Sequence, residues 1–131
     1  MSRRDKVILQ KVISEINIGA EMIGDTSFES FVADEKLKRA VCMTVINIGE
    51  LVKNITDETR VRYSFIPWKA IAGMRDLTAH KYQTLRMEDV YDTVKRDFPA
   101  LKIDLEKVLV ELENGLNKVC AVKCIKFAET K

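Results

Sequence analysis

Arg75, His80 and Tyr82 are the residues whose types and spacing suit chemistry, in the pattern Arg-x4-His-x-Tyr. They lie in the stretch Pro67-Trp68-Lys69-Ala70-Ile71-Ala72-Gly73-Met74-Arg75-Asp76-Leu77-Thr78-Ala79-His80-Lys81-Tyr82, which holds the single His and the single Trp of the 131 residues. A guanidinium is a planar fork of donors that matches phosphate oxygens and stays charged at any working pH. An imidazole with an ordinary pKa of about 6.5 takes or gives a proton near neutrality. A phosphate clamp beside a proton shuttle is the minimum for moving a phosphoryl or phosphodiester group without a metal. The plain alternative is that one Arg and one His near a helix end are surface residues, since charged side chains normally lie outside.

Spacing limits how these groups meet. In a straight helix five residues turn through about 500°, so Arg75 and His80 point about 140° apart. They share a site only where the helix ends or bends near Ala79, or where two subunits contribute to it. Arg75 and Tyr82, seven apart, fall on one face if the helix continues. Thr84 is a poor helix former, which predicts fraying within Lys81 to Leu85.

The elements that must position the motif read as helices. Pro67 is a start signal for the motif helix, with Trp68, Ile71, Ala72, Met74 and Leu77 as its apolar contacts and Trp68 as a packing anchor. A first helix spans about Arg4 to Ile23, with Val7, Ile8, Val12, Ile16, Ala20 and Ile23 at helical spacing and Gly24-Asp25 as its stop. Phe28 and Phe31 pin the loop that follows. Asp34 is an N-cap for a second helix, Glu35 suits its first turn, and Leu37, Val41, Thr44, Val45, Ile48, Leu51, Val52 and Ile55 form its apolar face. Within it, Cys42 reads as a small core residue, and Gly49 as permitting close approach of another helix. Glu50 reads most simply as an exposed acid, or else as an acid turned toward the site. Asn54 to Ser64 is polar and turn-like. A fourth helix begins near Arg86 or Met87, and Pro99 either kinks it or opens a fifth. Leu101, Ile103, Leu105, Val108, Leu109 and Leu112 carry helical spacing to a stop at Asn114-Gly115. The fold class is therefore all-α, an antiparallel four- to five-helix bundle.

Composition agrees. The chain is 47% hydrophobic and 32% charged, with two Pro and five Gly, which suits one helix-rich domain. A net charge of +2 argues against a dedicated duplex-DNA coat while leaving room for a local basic patch. Cys42, Cys120 and Cys124 lack framework spacing, which points to a reducing, cytoplasmic setting. No apolar run approaches the roughly 18 residues of a membrane span, and no apolar segment follows Arg3-Arg4 as in a signal peptide.

Ile66-Pro67-Trp68, Ala72-Gly73-Met74-Arg75 and His80-x-Tyr82 together resemble the HepT-like family of HEPN-domain proteins, small prokaryotic ribonuclease toxins. Phe31-Val32-Ala33-Asp34, Asn47-Ile48-Gly49-Glu50 and Asp97-Phe98-Pro99 are similar to that family as well, so the resemblance covers roughly Arg4 to Glu113. It implies a HEPN-like helical bundle over 1–114, with 115–131 as a tail or short docked helix. It implies a homodimer whose two motifs face one cleft, acting as a metal-independent endoribonuclease that needs no cofactor. Arg75 is then on the phosphate and His80 is the general acid or base, with Asp76 and Glu50 as supporting polar residues. The chemistry points the same way, because cleavage through the RNA 2′-OH needs one group to remove a proton and another to supply one. A chain with one His acquires a second imidazole from a two-fold mate. Lys69, Lys81, Arg86, Lys95 and Arg96 are candidates for a basic rim, or for a solvated surface.

The resemblance also implies a partner, an MntA-like nucleotidyltransferase antitoxin that AMPylates Tyr82, so that the attached phosphate pairs with Arg75 and blocks the cleft. On residues alone, Tyr82 simply packs at a helix end. A reading from a different class remains open: a non-catalytic helical binding module that docks a nucleotidyltransferase or a nucleotide. A plain structural dimer is the third.

Overall fold

Asp5, Leu9, Val12, Ile16, Gly19 and Ile23 are buried along the first helix, α1 (Arg3–Ile23), at alternating steps of four and three residues. That spacing keeps one stripe of a helix facing a neighbour. It corrects the expected face in detail: Leu9 is fully buried, whereas Val7 and Ala20 are exposed. The computed structural model describes residues 3–115, all-α and without a strand among them. The expected tail or docked helix beyond Gly115, with Cys120 and Cys124, lies outside the described residues. Gly24 ends α1 with φ +48°, a left-handed conformation that a Cβ disfavours, and its N–H bonds Ala20 O at 2.9 Å.

The two connections expected to be loops contain short helices. In the first, α2 (Phe28–Ala33) starts at Ser27, whose hydroxyl accepts from Ser30 N, and it is held by the fully buried Phe31. Phe28 and Phe31 both pack on Tyr91, with ring centroids 5.4 Å apart. Asp34 then caps α3 (Glu35–Lys53) as expected, accepting from Leu37 N at 3.0 Å. In the second, α4 (Asp57–Arg62) is capped by Thr56 and carries Asp57 and Glu58 in its first turn. Arg60 of α4 donates to Val52 O at 3.1 Å and Lys53 O at 3.0 Å, tying α4 to carbonyls at the end of α3, of which Val52 O also accepts from Ile55 N.

The motif helix, α5 (Trp68–His80), begins one residue after Pro67. Trp68 is the expected anchor, buried and donating Nε1–H to Tyr63 O at 3.1 Å. The apolar face differs from expectation near its end, where Thr78 is buried and Leu77 is 49% exposed. A 3-10 turn at Tyr82–Thr84 takes the place of the predicted fraying. The chain then stays helical through α6 (Met87–Asp92), a π-helical segment Thr93–Asp97 and α7 (Phe98–Gly115). Pro99 explains the widened turn. It has no N–H to bond four residues back, and just before it Phe98 N–H reaches five back, to Thr93 O.

Pairings run antiparallel. Asp5, Glu15 and Gly19 of α1 meet Thr56, Asn47 and Thr44, in that descending order. α3 lies between α5 and α1 and packs most extensively on α5, and α1 packs on α3 and then on α7. No helix among the described residues is long and apolar enough to cross a membrane.

Asp5 is the buried charge that registers this bundle. It accepts from Thr56 Oγ1 at 2.5 Å, Thr59 Oγ1 at 2.6 Å and Thr56 N at 3.2 Å. Burial pushes its pKa up, but the two hydroxyls and the backbone N–H together outweigh burial and hold it below the ordinary 3.8. Asp5→Ala is expected to cost about 3 kcal/mol, as loss of hydrogen bonds to a buried charged group does. A depressed folded-state pKa means that the wild-type contribution is present above the unfolded value and is lost as pH falls through the lower folded value. Urea titrations at pH 7 and on acidification below 3.8 check this. The variant's deficit is expected to shrink at acid pH, and a deficit unchanged with pH contradicts the assignment.

Candidate functional site

Gly49 is the contact that positions Arg75. A Cβ built on Gly49 would overlap Arg75 Cβ and lie 2.8 Å from its Cγ, so α5 presses onto α3 where α3 has no side chain. The close approach expected at Gly49 is therefore the seat of the motif's own arginine. From there Arg75 Nε lies 2.7 Å from Glu50 Oε1, and Nη1 lies 3.0 Å from Asp76 Oδ1. The Glu50 contact is an ion pair off the N–H direction, since buried Nε finds no aligned hydrogen-bond acceptor. Glu50 is thus both exposed, as the simpler expectation had it, and turned to the site.

His80 is the last residue of α5, where the chain turns into Lys81 with φ −128° and ψ 35°. Arg75 Nη1 reaches His80 Nε2 at 3.4 Å within one protomer. Of the two ways for the residues to meet, the helix end is the one found. The long Arg side chain spans the angular gap that rigid helical spacing imposes. A guanidinium only donates, so this contact is a hydrogen bond when Nε2 presents its lone pair. At 3.4 Å it is a weak hydrogen bond.

Asp76 carries a second cation. Lys53 Nζ lies 2.9 Å from Asp76 Oδ1, and Lys53 first and Arg75 second hold this carboxyl below the usual range. Lys53 was not among the expected site residues. Its signal was its place four residues after Gly49, one helical turn along the face that receives Arg75.

Tyr82 stands apart from this cluster. Since α5 ends at His80, the face that a continued helix would give Arg75 and Tyr82 in common does not form. The Tyr82 hydroxyl donates to Glu35 Oε2 at 3.3 Å, and Arg39 lies over its ring at 5.1 Å from the centroid. Burial first, and the Glu35 carboxylate second, push the phenol's pKa up. Glu35 also binds Lys38 at 3.1 Å and Arg39 at 2.9 Å. Arg39 and Glu50 are eleven residues apart on α3, about 16 Å along its axis, so Tyr82 and Arg75 occupy different stations of one helix. The i,i+4 pair Glu35/Arg39 was the overlooked signal here.

The candidate basic rim does not gather into one patch. Lys81 lines an open hollow of about 600 Å³ beside His80, with Ala70, Gly73, Met74 and Leu77. Arg86 pairs with Glu88 at 3.3 Å. Lys95 folds onto Gly24 O and Tyr91 instead, with Nζ 3.4 Å from the carbonyl. Lys69 and Arg96 are exposed. Cys42 is buried and unreactive, its thiol pushed up to about 11 by burial.

Gly49→Ala tests the seat of Arg75. The variant is expected to lose about 1–3 kcal/mol, as overpacking does. A crystal structure or NMR spectra should show Arg75 displaced from His80. Unchanged stability and unchanged Arg75 signals contradict the close approach.

Comparisons with known proteins bear on this site. A family model described as Ribonuclease HepT-like matches residues 12–108. The chain is 36% identical over 101 residues to "Putative RNase TTE0752" of Caldanaerobacter subterraneus, covering 77% of this chain and 90% of that one. It is 34% identical over 114 residues to "Putative RNase MJ0125" of Methanocaldococcus jannaschii, covering 86% and 98%. It is 34% identical over 108 residues to "Probable ribonuclease HepT" of Thermococcus cleftensis, covering 82% and 98%. No solved structure gives a significant match.

Proposed function

This chain belongs to the HepT-like ribonuclease family, and from that premise we propose that it is a metal-independent endoribonuclease, the toxin of a toxin–antitoxin pair. The observation that carries the reading is the 3.4 Å approach of Arg75 Nη1 to His80 Nε2 at an exposed helix end. A cation suited to phosphate and a ring nitrogen suited to proton transfer stand side by side. Arg75 turns from its carboxylate partners onto the scissile phosphate and stabilises the charge that develops there. His80 Nε2 removes the 2′-OH proton, the 2′-oxygen attacks phosphorus, and the P–O5′ bond breaks. The products are a 2′,3′-cyclic phosphate and a 5′-hydroxyl, the latter protonated by a second imidazole.

The second imidazole comes from a second copy. The hollow beside His80 supports this, since Gly73 has open space around its Cα and Leu77 stands 49% exposed. Burying Ala70, Met74 and Leu77 against a two-fold mate brings the two His80 rings toward one cleft. Tyr82 is the point of control, AMPylated by a nucleotidyltransferase antitoxin. Its hydroxyl is exposed enough to be reached and is already oriented by Glu35. The attached phosphate meets Arg39 and Lys38 first, while the nucleoside extends toward the cleft. A gain of one adenylyl group at Tyr82 on intact-mass analysis, after incubation with the antitoxin and ATP, is its measure.

Cleavage of RNA is expected to persist in EDTA and to fall at least about 100-fold in Arg75→Ala and His80→Ala, with helical circular dichroism unchanged. Full cleavage by His80→Ala contradicts the reading. An intact wild type that cuts no RNA yet binds a nucleotidyltransferase returns the non-catalytic binding module. Leu77→Glu is expected to elute as a monomer in size-exclusion chromatography and to lose cleavage with it. A variant that stays dimeric sinks this face as the interface.

A further inference from the structure

Two shallow pockets follow the seam between α1 and α3, away from the hollow beside His80. One, of about 500 Å³, is lined by Arg3, Arg4 and Asn54, and the other, of about 340 Å³, by Asn47 and Glu50. Lys11 and Leu51 line both, so the two form one trough. Its inner end is Glu50, whose carboxylate lies 2.7 Å from Arg75 Nε. Glu50 thus links the inner end of the trough to Arg75, although neither Arg75 nor His80 lines it.

Its outer end is positive. Arg3, Arg4 and Lys11 are exposed, and Arg4 donates to the neutral Asn54 Oδ1 at 3.4 Å while also helping to hold the Asp5 carboxyl down. Among the described residues neither Arg3 nor Lys11 is ion-paired. Two acids line the trough's inner end: Glu15 accepts from the neutral Asn47 amide at 3.4 Å and keeps its charge, while Glu50 is paired with Arg75. Arg4 and Lys11 are seven residues apart, two turns on one face of α1 and about 10 Å along it. Three exposed cations at the outer end of a trough whose inner end is the ion-pair partner of Arg75 suit a polyanion that enters as a strand. A seam between two helices accommodates one strand and not a duplex, and Leu51 gives its floor an apolar surface for sugar and base.

We propose that this trough carries the single-stranded RNA flanking the cleaved bond, with its phosphates on Arg3, Arg4 and Lys11. The identity of the ligand rests on the ribonuclease reading, while the trough's capacity to bind a nucleic-acid strand is separately measurable. The probe is a fluorescein-labelled RNA of about 12 nucleotides made uncleavable by 2′-O-methyl groups, titrated by anisotropy from about 50 to about 300 mM KCl. Lys11→Glu is expected to bind at least about 10-fold more weakly near 0.1 M salt. The double variant Arg3→Ala/Arg4→Ala is expected to show a log–log salt slope shallower by about 0.7 for each phosphate left without its cation. Lys11→Arg is expected to keep wild-type affinity, and circular dichroism confirms the fold of each variant. Wild-type affinity and slope in both charge-removing variants, or no binding by the wild type, overturns the trough. Cleavage of ordinary RNA by the same proteins separates the two readings. His80-dependent cleavage with unaltered binding in the trough variants keeps the nuclease and removes the trough. Trough-dependent binding without cleavage does the reverse.

Discussion

The absence of a side chain at Gly49 is the constraint on which the site depends. Any Cβ there would overlap Arg75 Cβ, so the contact exists only because α3 offers bare backbone at that point. Glycine inside a helix costs about 1 kcal/mol relative to alanine. Here that cost accompanies a close α3–α5 approach that points Arg75 along α3 toward Glu50 and across the end of α5 toward His80. The packing link and the functional link in the chain of causes are the same contact.

Electrostatics then sets how Arg75 rests. Glu50 and Asp76 both neutralise it, and Lys53 in turn occupies Asp76. The ion pairs are partly solvated, which makes them modest in energy. Under the proposed function, an arriving phosphate has to displace these carboxylates from the guanidinium. This arrangement holds the donor fork in place beside His80 Nε2. Tyr82 belongs to a separate network of Glu35, Lys38 and Arg39 near the start of α3, about three helical turns from Glu50.

Much of the architecture was legible because it rests on local rules. The Asp34 cap, the Gly24 stop, the Trp68 anchor and the apolar stripe of α3 all follow from residue type and the helical repeat of about 3.6 residues. Helices α2 and α4 were not legible, because helices this short carry no periodicity and are held by tertiary contacts, Phe31 on Tyr91 and Arg60 on the carbonyls of Val52 and Lys53. The π-helical segment before Pro99 is the structural form of an ambiguity between kink and new helix. At the site, Arg75, His80, Asp76 and Glu50 were named from the motif and its resemblance, and the structure brings these four together. The role of Lys53 and the station of Tyr82 depend on which α3 residues face α5. That register is set by Gly49 and is invisible to the motif alone.

The chemistry of the cut ends tests the central claim most directly. An RNA carrying a single ribose at the cleaved position within an otherwise deoxy strand is incubated with the wild-type chain, and the fragments are analysed by mass spectrometry. Attack by the 2′-oxygen, driven by His80 beside Arg75, predicts a 2′,3′-cyclic phosphate on one fragment, a 5′-hydroxyl on the other, and no cut once that ribose is also deoxy. Fragments ending in 3′-hydroxyl and 5′-phosphate, or cleavage that survives removal of the 2′-OH, would contradict the account.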